Sequence, residues 1–121
     1  MAAPNVLGIT TITAKTYGVG IQTTANVGIV TNAASSNKVL KINTFRVTNN
    51  SASSSTTFNV VYVDSGSNSV GIASNLTIPV GGTIIVIDKD STTYVEENCS
   101  INVSVADTTR LSVLVSYEEL S

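Results

Sequence analysis

Histidine is missing from the 121-residue chain. With it go the usual general base near neutral pH, every Ser-His and Cys-His nucleophile pair, and most zinc sites. The single cysteine, Cys99, follows Glu96, Glu97 and Asn98. Neighbouring carboxylates disfavour a thiolate, so a small buried or half-buried side chain is expected there and a nucleophile is not. Carboxylates gather at Asp88, Asp90, Glu96 and Glu97, and a loop that gathers such oxygens can hold calcium. The spacing matches no calcium loop, however, and Lys89 sits inside the group. A bound cation is therefore the alternative, and the main expectation is a set of solvated turn charges flanking an apolar strand and discouraging edge-to-edge pairing. Glu118 and Glu119 read the same way. No catalytic residue, cofactor site or metal ligand is assigned, and the chain is expected not to be an enzyme.

The remaining motifs are equally plain. Gly18-Val19-Gly20 and Gly81-Gly82 are too short for a phosphate cradle, which needs its glycines between a strand and a helix. The six cations (Lys15, Lys38, Lys41, Arg46, Lys89, Arg110) are scattered, and the net charge is −2. Nucleic acid needs clustered cations, so it is not an expected partner. Of the aromatics, Phe45, Phe58, Tyr62 and Tyr117 are read as core, whereas Tyr17 and Tyr94 lie near turns and are free to face a partner or a carbohydrate. No stretch approaches the length of an apolar membrane span, and Met1-Ala2-Ala3-Pro4-Asn5 lacks the basic start of a secretory signal. One cysteine permits no internal disulfide, as suits a reducing cytoplasm. Asn-x-Ser/Thr patterns at Asn49, Asn75, Asn98 and Asn102 are what chance supplies in so Asn-, Ser- and Thr-rich a chain.

Charged residues are only 12% of the chain, about half the usual share. Ser, Thr and Asn, together more than a third of it, must cover the surface. Helical spacing is absent and β-branched residues dominate the apolar segments, so strands are the expectation throughout. In Ser100–Ala106, Ile101, Val103 and Val105 alternate with polar residues. Arg110–Glu118 sends Leu111, Val113, Val115 and Tyr117 to one face, and Asp107-Thr108-Thr109 is read as joining the two strands in a hairpin. Thr57–Val63 is apolar on both parities and should be central. Lys38–Thr48 places Leu40 and Ile42 on one parity and Phe45 and Val47 on the other, which calls for a β-bulge near Asn43-Thr44. Ile78 to Gly82 is turn chemistry with Pro79 at a strand end, and Thr83–Asp88 reads as an interior strand. Val30-Thr31-Asn32 and Val47-Thr48-Asn49 echo one another, each a strand end running into a Ser-rich loop. One domain is expected: residues 1–37 as an extended amino-terminal arm with the first strands, and 38–121 as the body. The architecture is an all-β antiparallel sandwich of seven to nine short strands, immunoglobulin-like or jelly-roll.

The opening Met1-Ala2-Ala3-Pro4-Asn5 with Gly8-Ile9-Thr10-Thr11-Ile12-Thr13, then Thr31 to Ser36 before Lys38-Val39, Asp88-Lys89, Tyr94-Val95-Glu96-Glu97 and Val115-Ser116-Tyr117-Glu118-Glu119, resemble small virion structural proteins of tailed bacteriophages, notably those infecting marine cyanobacteria. The likeness spans most of the chain and carries no catalytic motif. It implies a particle component assembled in the host cytoplasm. The leading expectation is a capsid decoration or cement protein, bound to the major capsid protein or other virion proteins and homo-oligomeric, with a trimer favoured. A neck, tail or fibre component is the alternative, and a carbohydrate-binding module using Tyr17 and Tyr94 is a second.

Overall fold

The computed structural model describes residues 8 and 10–121. The expected arm, so far as it falls on residues 1–7 and 9, lies outside the described residues. Nine strands follow: β1 (Ile12–Ile21), β2 (Val27–Asn32), β3 (Val39–Asn49), β4 (Thr56–Val63), β5 (Ser69–Ile78), β6 (Thr83–Ile87), β7 (Thr93–Val95), β8 (Cys99–Val105) and β9 (Leu111–Leu120). A 3-10 turn, Lys89–Ser91, separates β6 from β7. Period-two alternation drives these assignments, most clearly in β8, where every second residue from Cys99 to Val105 is buried.

The strands form two antiparallel sheets. One runs β1-β9-β3-β6, with β7 continuing the β6 side of β3, and the other runs β2-β8-β4-β5. Pairs β1/β9, β2/β8, β3/β6 and β4/β5 nest inside one another, so the chain is one long hairpin rolled up on itself. This order is a jelly roll. The immunoglobulin order is excluded because β1 and β2 lie in different sheets. Phe45, Phe58, Ile42, Ile78, Ile87, Ile101 and Leu111 fill the core between the sheets.

The bulge expected in β3 is present: its register against β9 shifts between Ile42 and Thr44, and Leu40, Ile42, Phe45 and Val47 are all buried. β4 is interior, paired on both sides. The turn after β5 closes with Gly82 N–H donating to Pro79 O at 2.9 Å. Gly81 takes a φ of 69° in it, as the third position of a type II turn demands.

Two expectations are corrected. Asp107-Thr108-Thr109 makes no hairpin: β8 and β9 belong to opposite sheets. Both send an apolar face into the same core, but from opposite sides, and alternation alone does not distinguish the two cases. Asp107 Oδ1 organises the crossing by accepting from Thr109 N at 2.8 Å and Thr56 Oγ1 at 3.0 Å. Among the described residues the one hairpin between successive strands is β4–β5, where Asp64 Oδ1 accepts from Gly66 N and Asn68 N. Nor is Thr83–Asp88 an interior strand. β6 is an edge, and its two-sided apolar pattern arises because Ile84, Val86 and Ile87 pack inward while Ile85 stands 58% exposed on the opposite face.

The sequence echo marks a shared device. Asn32 and Asn49 are both buried, each where a strand leaves one sheet for the other. Asn32 Nδ2 donates to Lys38 O and Val95 O at 2.9 and 3.0 Å. Asn49 Nδ2 donates to Ser54 O and Ile78 O at 2.8 and 3.3 Å. Their Oδ1 atoms accept from Ser36 Oγ and Ser51 N. Each amide thereby bonds one carbonyl of its own crossing loop and one at the end of a neighbouring strand.

Candidate functional site

The four gathered carboxylates do not converge. Asp88 caps the 3-10 turn, its Oδ1 accepting from Asp90 N at 2.9 Å and from Ser91 N and Ser91 Oγ at 3.1 Å. The lone pairs of that oxygen are committed to backbone and hydroxyl donors. Glu96 is exposed. Glu97 is buried and points elsewhere, its Oε2 accepting from Asn37 N at 3.1 Å. Among the described residues no group of three or more carboxylate or cysteine side chains is arranged to hold a metal ion. Cys99 is a buried free thiol whose Sγ donates to Glu97 O at 3.4 Å. Beside it, burial pushes the Tyr62 phenol up to about 12, with a hydrogen bond to Cys99 adding to the effect. The Tyr62 hydroxyl accepts from Glu96 N at 3.4 Å. These contacts tie the β7–β8 loop to β4.

Tyr17 and Tyr94 are exposed, at 45% and 46%, but they do not form a platform. Tyr17 lies opposite Val115 on the core-facing side of its sheet. Tyr94 lies opposite Lys41, which in turn faces Glu118 on the outward side. The two rings sit on opposite faces of the β1-β9-β3-β6 sheet, so no single flat sugar stacks on both.

What this sheet offers instead is its outer face. Ala14, Thr16, Gly18 and Gly20 on β1 lie opposite Glu118, Ser116, Leu114 and Ser112 on β9. The row continues to Lys41, Thr44, Arg46 and Thr48 on β3, then to Ile85 and Thr83 on β6. Small and hydroxylated side chains leave the surface flat, with Leu114 and Ile85 standing beside the exposed Arg46. A shallow depression of about 270 Å³ opens at the β3 bulge between Ala14, Thr16, Asn43 and Ser116. Its polar groups satisfy one another: Asn43 Nδ2 donates to Glu118 Oε1 at 3.0 Å, and the Thr16 and Ser116 hydroxyls are 3.3 Å apart. Chemically the face can make neutral hydrogen bonds and apolar contacts, and a partner would have to meet the charges of Lys41, Arg46 and Glu118. Sequence reading missed it because the alternation of Ala14, Thr16, Gly18 and Gly20, its one signal, looks like irregular loop composition. Comparison with protein-family models, with characterised proteins and with solved structures finds no match.

Proposed function

We propose that this protein is a non-enzymatic structural component of a bacteriophage virion, a decoration or cement protein that stabilises the capsid shell through protein–protein contacts. The observation that carries the reading is the jelly-roll strand order, an architecture that recurs in viral capsid and lectin domains. Because fold alone does not specify function, two further features matter. The outer face of the β1-β9-β3-β6 sheet is flat and mostly built of small, hydroxylated and apolar residues, with Lys41, Arg46 and Glu118 as its charges, which suits burial against another protein. The phrasing of the chain resembles small virion proteins of tailed phages. A neck, tail or fibre position would use the same surface at another symmetry, with the major capsid protein replaced by another virion protein as partner. The carbohydrate-binding reading draws nothing from the placement of Tyr17 and Tyr94 on opposite faces.

Quantitative mass spectrometry of purified particles, with the major capsid protein as internal reference, tests this. A copy number comparable with that of the major capsid protein is expected. A small fraction of that number would move the protein to the neck, tail or vertices, and its absence from washed particles would overturn the virion reading.

A further inference from the structure

The two sheets have four edges, and three are guarded. β2 carries a register shift between Gly28 and Val30. β5 is interrupted by two shifts against β4 and by Asn75 at a φ of 50°. The third edge is split into β6 and β7 by a turn bearing Asp88, Lys89 and Asp90. Bulges, breaks and charges of this kind are how edge strands avoid pairing with other chains. β1 has neither bulge nor break, and its Lys15 is paired with Glu119 of β9 at 3.1 Å. Its ten residues pair with β9 in one unbroken register, it contains no proline, and its one charge is Lys15. Every residue from Ile12 to Gly18 is exposed, and among the described residues no strand lies on its other side.

The ladder dictates what that edge presents. Thr11 and Ser121 exchange both backbone hydrogen bonds at 2.9 Å, so in the continuous register the odd-numbered residues of β1 are the ones bonded to β9. Alternation in an antiparallel ladder then turns the N–H and C=O groups of Ile12, Ala14, Thr16, Gly18 and Gly20 outward. We infer that β1 pairs antiparallel with β1 of a second copy, about a twofold axis at Thr16, joining the two β1-β9-β3-β6 sheets into one. Centred there, Ile12 meets Gly20, Ala14 meets Gly18 and Thr16 meets itself. All five outward residues of each copy are used, about ten hydrogen bonds in total. The intervening positions oppose Lys15 to Tyr17 and Thr13 to Val19, so no like charges face one another and Lys15 meets an exposed aromatic ring. Moving the axis to residue 15 would oppose Lys15 to Lys15. At residue 17 it would leave Ile12 opposite Gln22, beyond the strand. A contact of this isologous kind builds a dimer, in place of the trimer expected from sequence resemblance. The inference concerns the chain alone and stands apart from the virion reading.

Size-exclusion chromatography with light scattering on the purified full chain should give twice the chain mass. Gly18→Pro removes an outward N–H while leaving the β9 ladder untouched, and the nearest side-chain atom to a new Cβ there is the flexible Leu114 Cδ1 at 3.4 Å. That variant should run as a monomer with an unchanged far-ultraviolet spectrum. In a Cys99→Ser background, Thr16→Cys should oxidise to a covalent dimer, since hydrogen-bonded partners have Cα atoms about 5.5 Å apart, within disulfide reach. Lys15→Cys and Tyr17→Cys should cross-link far less. A monomeric or trimeric wild type, a Gly18→Pro variant that is folded and still dimeric, or preferential cross-linking at residue 17 would each overturn the proposal.

Discussion

Asn32 and Asn49 show how much one side chain decides when backbone leaves a sheet inside a small domain. Replacing Asn49 with Ala strands the carbonyls of Ser54 and Ile78, both bonded by its amide. Each buried group left unpaired costs roughly 1–3 kcal/mol, so a loss of about 2–4 kcal/mol is expected in urea unfolding. Asn32→Ala should behave alike, because Lys38 O and Val95 O lose the same kind of donor. A change within experimental error at both positions would mean that water replaces the amides. Tyr62 gives a pH signature. Its phenol is raised by burial from an ordinary 10.0 to about 12, so the folded state holds the proton more tightly than the unfolded chain does. The stability tied to that proton is complete below pH 10.0 and is lost as pH rises through about 12. Chemical denaturation across that window should show a steeper fall for wild type than for Tyr62→Phe, which has no proton to lose.

At the scale of elements, the β3 bulge is the feature on which the most depends. Leu40 and Ile42 precede it, Phe45 and Val47 follow it, and all four reach one core only because one extra residue reverses the parity between them. Deleting Asn43 should turn Leu40 and Ile42 to solvent, at roughly 1.5–3 kcal/mol for each apolar side chain exposed. That sum approaches the whole stability of an ordinary domain, so the deletion is expected to give insoluble or unfolded protein. Asn43→Ala, which loses only the bond to Glu118, should fold. The bulge was legible in the sequence because two apolar sets of opposite parity in one strand reach a single core only when a residue is inserted between them. The place of β6 at an edge was not, since an apolar run on both parities fits either a strand covered on two sides or one whose outer Ile85 stands bare. The β8–β9 connection was illegible for a related reason. Two alternating strands and three turn residues describe a hairpin and a sheet-to-sheet crossing equally well, and only the partner strands separate them.

For the molecule as a whole, the rolled hairpin brings the first and last strands together. β1 pairs with β9 along its full length, and only β4 and β5 find their partner next in sequence. Such non-local pairing pays loop-closure entropy before any contact rewards it. Refolding, followed by tyrosine fluorescence in stopped flow, should therefore take milliseconds to seconds rather than microseconds. Phe58→Ala empties a fully buried site facing both sheets and should cost about 3–5 kcal/mol. One cooperative transition is expected by every probe, because neither sheet has a core without the other. From its residues alone, this chain determined an all-β sandwich, the parity switch in β3, and the absence of the side chains that much of enzymology requires, for these follow from side-chain type and local alternation. Which strands are neighbours, which edges lie open, why the two Val-Thr-Asn segments matter and where Tyr17 and Tyr94 face were decided only by tertiary structure, because each depends on residues far apart in the chain being brought to one place.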